Sequence, residues 1–232
     1  MVKMVFTMSI FNNKWVKRLA IATTIVVIVL LCIKRKDMTM RQSIMKAVYS
    51  VIMLKGKIFG NASGIVLNDQ KIVPPTSIYN LPFTANNGTT TSFEQFKGKK
   101  ILLVNTASDC GFTAQYSELE QLYQQHKNKL VVIGFPANDF KNQESKDDNA
   151  IASFCKLNYG VTFPLAKKSS VIKGNEQNSV FKWLSDSTQN GWCNKQPDWN
   201  FSKYLVDENG VLIGFFSKEV SPLDEKIVGA LQ

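Results

Sequence analysis

Two short apolar runs, Ile101-Leu-Leu-Val-Asn105 and Leu130-Val-Val-Ile-Gly-Phe135, bracket a polar stretch in which Leu119, Leu122 and Tyr123 recur at helical spacing. Such short, branched, continuously apolar runs read as buried strands, and the stretch from Ala114 to Lys127 reads as the helix between them. A strand–helix–strand core at the centre of the domain limits the folds open to the remainder.

The flanking segments fit that core. Residues 77–84, the turn Asn86-Asn87-Gly88 and residues 89–96 read as a leading hairpin. Pro136 to Lys146 is a polar loop, and Asp147 to Asn158 a helix with acids in its first turn. Phe163-Pro-Leu165 is extended, and Glu176 to Ser187 is helical with Val180, Phe181 and Leu184 on one side. Tyr204 to Phe215 is a hairpin turning on Asn209-Gly210, and Pro222 to Leu231 is a closing helix. This order predicts an α/β protein of thioredoxin-like arrangement, a central mixed sheet flanked by helices.

Charge divides the chain. Residues 1–74 hold twelve Lys and Arg against two acids, whereas residues 75–232 hold sixteen lysines against sixteen acids. The domain is therefore neutral, which excludes a nucleic-acid-binding role for it. The basic excess surrounds Leu19 to Ile33, an uncharged apolar run bracketed by Lys17-Arg18 and Lys34-Arg35-Lys36. At the helical rise it spans roughly 22 Å, and snorkelling of the flanking side chains closes the gap to a ~30 Å bilayer core. No small-residue cleavage site follows it, and Leu31 precedes Cys32 where a lipoprotein signal wants a small residue. The expectation is a single-pass membrane protein: a segment 1–36 with a transmembrane helix at about 16–34, and a juxtamembrane helix and linker at 37–76. The globular domain then covers 77–232. Arg41 to Phe59 is expected to lie at headgroup level or to serve as a plain linker helix. Within about 15 residues of the span, three basic residues precede it (Lys14, Lys17, Arg18) and five follow it (Lys34, Arg35, Lys36, Arg41, Lys46), a weak lean towards a cytoplasmic domain that leaves the orientation open.

Cys110 stands between the first strand and its helix, in VNTASDCGFT (104–113). A cysteine near the first turn of a helix meets unpaired N–H groups and the positive end of the dipole, which favour a thiolate. Thr113 occupies the position where a disulfide-exchange motif would carry its second cysteine. The single histidine, His126, ends a polar helix face and reads as a solvated surface residue. No set of His and Cys residues has metal-ligand spacing, so neither a metal nor another cofactor is expected.

The segments VNTASDCGFTAQYSELEQLY (104–123), LVVIGFPANDFKNQE (130–144), IASFCKLNYGVTFPL (151–165) and WNFSKYLVDENG (199–210) resemble the glutathione peroxidase family. The resemblance covers about Ser77 to Gln232 and implies a thioredoxin-like fold. It further implies a peroxidase acting on hydrogen peroxide and organic hydroperoxides, of the cysteine-containing, non-selenium kind. Cys110 matches the family's peroxidatic thiol, and Gln143, Trp199 and Asn200 match its three neutral hydrogen-bond donors. Attack on a peroxide would leave a sulfenic acid on Cys110. The chain departs from relatives at Ala137, Asp139 and Asp109, where many have Cys, Gln and Lys; an acid at 109 would oppose thiolate formation.

The thiol reductant, thioredoxin or glutathione, is expected as a co-substrate. Thioredoxin-dependent relatives carry a resolving cysteine in the helix after the Gln motif. Cys155 lies in that helix about one residue out of register, and Cys193 is the second candidate. The domain contains no arginine, which argues against a strong glutathione-carboxylate site. The short segments between Pro164 and Trp183 leave little room for an oligomerisation loop, so a monomer is expected. The alternative readings are a membrane-tethered thioredoxin-like disulfide exchanger or assembly factor, and a redox sensor that passes oxidation to a partner.

Overall fold

The computed structural model describes Trp15, Arg18, residues 38–59 and residues 64–232. The expected transmembrane helix at 16–34 lies outside these residues, Arg18 apart. No helix among the described residues is long and apolar enough to cross a membrane.

The domain is a thioredoxin-like α/β fold around a five-stranded mixed sheet, in the order β1 (Ile65–Leu67), β7 (Leu212–Phe216), β6 (Lys203–Val206), β4 (Lys100–Thr106) and β5 (Leu130–Pro136). Its centre is β4 (Lys100–Thr106) and β5 (Leu130–Pro136), parallel neighbours joined through α2 (Gln115–His126). All seven residues of β5 and six of β4 are buried, as continuous apolar runs require when helices cover both faces. On its other side β4 pairs antiparallel with β6 (Lys203–Val206), and β6 pairs antiparallel with β7 (Leu212–Phe216). The turn between these two is closed by the Asp207 carboxylate, which accepts from the N–H groups of Asn209 and Val211.

The alternating side chains of the sheet feed two cores. Leu102, Val104, Val132 and Leu205 pack with α2, with α3 (Asp148–Tyr159) and with the C-terminal α6 (Glu225–Gly229). Ile101, Leu103, Ile133 and Tyr204 face the other way. They pack with the small hairpin of β2 (Pro82–Thr84) and β3 (Thr90–Ser92), and with α4 (Ser179–Leu184).

Four features differ from the sequence reading. Within the expected linker, β1 (Ile65–Leu67) adds an edge strand to β7, so the sheet begins before residue 77. The helix expected over 176–187 is instead α4 and a separate α5 (Ser187–Asn190). Asn178 caps the first by accepting from Val180 N–H, and Asp186 caps the second by accepting from Thr188 N–H. The closing helix is shorter than expected because Asp224, accepting from Lys226 N–H, caps it three residues late. Finally, α1 (Met40–Phe59) is a helix as expected, but Met38, Gln42 and Tyr49 are buried against the domain. Its Met40, Ile44 and Val48, at helical spacing, form an exposed apolar stripe.

Candidate active site

Cys110 lies in tandem turns after β4, five residues before α2 begins. It thus precedes the first turn of that helix, near which the sequence places it, and its backbone donors are N–H groups of the loop. The Phe112 N–H donates to the sulfur at 3.4 Å, and the Gly111 N–H also reaches it. Thr113 shapes this loop. Its hydroxyl accepts from the Cys110 N–H at 3.0 Å and lies 2.9 Å from the Ala107 carbonyl. Where a second cysteine would stand in a disulfide exchanger, this chain has a structural hydroxyl.

Trp199 and Asn200 come from the turn before β6, brought to the loop by Asn105 at the end of β4. The Asn105 amide donates to the Trp199 carbonyl (3.0 Å) and its oxygen accepts from Ser202 N–H (2.9 Å). Phe201 between them holds a left-handed backbone (φ +68°), a conformation disfavoured for a bulky residue and sustained here by full burial and a 2.6 Å bond from its N–H to the Asn105 carbonyl. This clamp presents the Trp199 indole and the Asn200 amide to the Cys110 sulfur, to which both hydrogen-bond. Gln143 enters through Asn200, whose amide donates to its side-chain oxygen at 3.0 Å. Lys141 and Asn142, both left-handed at φ +51°, turn the chain immediately before Gln143.

The structure thus brings Trp199 and Asn200 to the Cys110 sulfur, and Gln143 joins them through Asn200. The thiol's acidity departs from the sequence reading. Cys110 is only 2% exposed, and its burial raises the thiol's pKa above the ordinary value, outweighing the donors from Phe112, Trp199, Asn200 and Gly111 that lower it. Asp109, expected to oppose the thiolate, is not among the groups that shift it. Its carboxylate is taken up by Gln42 of α1 at 2.5 Å and by Lys146 at 3.5 Å.

The two other candidate cysteines part company. Cys155 lies mid-helix in α3, in the same core as Cys110. It is fully buried, and burial pushes its thiol up to about 12, with the Tyr116 hydroxyl opposing that rise. Cys193 belongs to the core on the opposite face of the sheet. The sheet stands between it and Cys110, so the structure does not place it with the site. Cys110, Cys155 and Cys193 are all unpaired thiols. Among the described residues no cluster of His, Cys, Asp and Glu could hold a metal.

Three polar side chains around the site escaped the sequence reading. Buried Glu144 accepts from both the N–H and the hydroxyl of Ser108, at 2.8 and 3.0 Å, tying the Cys110 loop to the Gln143 loop. Burial pushes its carboxyl up to about 7 despite those bonds. Lys203 is fully buried in β6, donating to Gln115 Oε1 (2.9 Å) and the Phe201 carbonyl (2.8 Å), and burial brings its ammonium down to about 7. Gln42 is the third. The Glu of the Asn-Gln-Glu motif and the Lys two positions after Phe201 stood in matched segments; Gln42 stood in none. Asp139 is a structural staple, accepting from Ser170 Oγ and Val171 N–H at 2.8 Å each.

Known proteins resemble this chain. The family model described as glutathione peroxidase matches residues 78–185, which include Cys110 and Gln143. The chain is 45% identical over 159 residues to glutathione peroxidase-like peroxiredoxin 2 of Saccharomyces cerevisiae, covering 67% of this chain and 98% of that one. It is 42% identical over 147 residues to the glutathione peroxidase homolog BsaA of Staphylococcus epidermidis, covering 63% and 92%. Among solved structures, Trgpx in its apo form matches with a TM-score of 0.53 at 33% identity, over 68% of this chain and 96% of that one. A DsbF homologue from Corynebacterium diphtheriae, covering 74% of this chain and 93% of its own, reaches the same TM-score at 14% identity, a likeness of fold alone. The chain belongs to the glutathione peroxidase family and is a peroxidase.

Proposed function

We propose that this protein reduces hydrogen peroxide and organic hydroperoxides at the Cys110 sulfur, with Gln143, Trp199 and Asn200 as its partners in that step. The observation that supports this reading best is the convergence of N–H donors on one buried sulfur, from Phe112, Gly111, Trp199 and Asn200. Burial opposes an anion, and fixed neutral donors offset part of that cost without introducing a competing base. The same donors can follow the charge as it moves onto oxygen. The Cys110 thiolate attacks the terminal peroxide oxygen and an S–O bond forms as the O–O bond breaks. The departing alkoxide or hydroxide takes a proton from solvent, leaving a sulfenic acid on Cys110.

Regeneration proceeds through Cys155. Its sulfur displaces water from the sulfenic acid to give a Cys110–Cys155 disulfide, which a dithiol protein of the thioredoxin class reduces. Burial in the core shared with Cys110 supports the pairing, and because Cys155 is fully buried in α3 the helix opens to bring the two sulfurs together. Glutathione is the weaker reductant because the domain offers no arginine fork to its carboxylates. The apolar run Leu19 to Ile33 anchors the chain in a bilayer. Its basic flanks and the exposed stripe Met40, Ile44 and Val48 support that placement.

Peroxide turnover with thioredoxin and with glutathione tests the reading, in the unsubstituted chain and in Cys110→Ser, Cys155→Ser and Cys193→Ser. Cys110→Ser is expected to abolish turnover, Cys155→Ser to abolish only the thioredoxin-supported part, and Cys193→Ser to leave both. Full activity in Cys110→Ser would remove the proposal.

A further inference from the structure

The helix that precedes the domain reaches the site. At the start of α1 the Thr39 N–H donates to Gln42 Oε1 at 2.8 Å, and the Gln42 N–H donates to Thr39 Oγ1 at 3.2 Å, a reciprocal capping box. That bond fixes the Gln42 amide with its oxygen towards Thr39 and its nitrogen towards the domain. The nitrogen donates to the Ser108 carbonyl at 3.2 Å and to Asp109 Oδ1 at 2.5 Å. Gln42 is only 5% exposed, so these bonds are shielded from water. Neighbouring contacts keep the helix in register: Met38 is buried in the Cys110 core, and Lys46 donates to the Asn158 carbonyl at 2.9 Å.

We propose that Gln42 is a positioning residue of the peroxidatic centre: it holds the Asp109 carboxylate, and with it the Ser108–Asp109 backbone, so that the negative charge adjoining Cys110 is kept from the sulfur. Asp109 is the residue next to the nucleophile, and an unrestrained carboxylate there would oppose thiolate formation through space. Two partners restrain it. Lys146 Nζ stands 3.5 Å from Oδ2, and Gln42 secures the other oxygen at closer range. The buried Glu144 carboxyl, held by Ser108, lies close enough for the Asp109 charge to act on it. Burial and the N–H donors of Phe112, Trp199, Asn200 and Gly111 are the main influences on the Cys110 thiol. The insulation of Cys110 from its acidic neighbour thus depends on a segment outside the stretch that resembles the family.

The inference rests on the proposed role of Cys110 and is tested on the full chain in detergent micelles carrying Cys32→Ser, Cys155→Ser and Cys193→Ser. Two quantities are read: the stopped-flow rate of Cys110 oxidation by hydrogen peroxide, and the pH midpoint of Cys110 alkylation by iodoacetamide. Gln42→Ala is expected to slow oxidation at neutral pH by about threefold to tenfold and to raise the alkylation midpoint by about half to one pH unit, the size of a nearby like charge. Gln42→Glu keeps the capping acceptor but cannot donate, so the helix start is retained and the same shifts are expected. Adding Asp109→Asn to Gln42→Glu exchanges donor and acceptor, and is expected to restore both readings to within about twofold of the parent. Unchanged readings in Gln42→Ala and Gln42→Glu would overturn the inference. So would slowed variants that Asp109→Asn does not rescue, since lost packing alone would be indifferent to that charge. A parent chain whose Cys110 is not oxidised by peroxide would instead overturn the proposed function.

Discussion

At the scale of single residues, the chemistry is a contest between burial and hydrogen bonding at one sulfur. Burial raises the Cys110 thiol, so its oxidation by peroxide is expected to accelerate as pH rises through neutrality. Removing a donor moves that rise to higher pH: Trp199→Phe or Asn200→Ala should slow oxidation at neutral pH by roughly 10- to 150-fold. That corresponds to the about 1.5–3 kcal/mol typical of a hydrogen bond to a charged group. Stopped-flow rates across pH check this, and an unchanged rate in both variants would contradict it. Glu144 makes a second prediction. Its carboxyl ordinarily titrates at 4.5 and in the fold at about 7, so the native state binds a proton that the unfolded chain has released. Stability is therefore highest below pH 4.5, in this contribution, and falls as pH rises to 7, by about 3 kcal/mol at most. Lys203, brought down to about 7 from 10.5, has the opposite slope above neutrality, adding stability as pH rises towards 10.5. Glu144→Gln keeps an acceptor for Ser108 and should flatten the acid limb alone, read from urea midpoints between pH 4.5 and 7. An acid limb as steep as in the parent would show that Glu144 does not titrate in this range.

At the scale of elements, α3 carries a thiol that is inert where it sits. Its N-terminus is capped by Asp147, which accepts from Ala150 N–H at 2.8 Å, and its C-terminus by the left-handed Gly160, whose N–H returns to Lys156 O. In the resolving role proposed for Cys155, this helix has to open to expose the sulfur. Asp147→Ala removes about 1 kcal/mol of capping and should raise the open population about fivefold. Disulfide formation after peroxide should accelerate by that factor while Cys110 oxidation is unchanged, as followed by mass spectrometry of quenched samples. Equal disulfide rates in the two proteins would argue that α3 does not open during resolution. The acids that open this helix were plain in the sequence, as were β4 and β5, because a fully buried strand needs an unbroken apolar run and acids suit the start of a helix; that Asp147 caps the helix rather than belonging to its first turn, and that Gly160 ends it, came from the structure. The strand β1 was not, since three residues at a sheet edge owe their conformation to β7 rather than to their own pattern. Similarly, the break at Ser185 and Asp186 arises because a side chain that can cap a helix competes with its continuation.

At the scale of the whole molecule, the sheet sorts the cysteines and the chain's distant segments meet at one of them. Cys110 and Cys155 share one face and Cys193 takes the other, an assignment that sequence spacing could not make because sidedness depends on the packing of both layers. The four site residues were readable from motif order. Gln42, Glu144 and Lys203 were not, since an amide, a carboxyl and an ammonium owe their importance here to burial that only the assembled fold supplies. The approach of α1 to the Cys110 loop likewise turns an expected headgroup-level or linker helix into a wall of the site. The central claim is that Cys110 is the sulfur on which these parts converge in order to take oxygen from a peroxide. Peptide mass spectrometry of the full chain carrying Cys155→Ser, treated with equimolar hydrogen peroxide and dimedone, tests it most directly. One dimedone adduct is expected, on Cys110, and its loss when Trp199 and Asn200 are both substituted by alanine; an adduct on Cys193, or none on Cys110, would overturn the assignment.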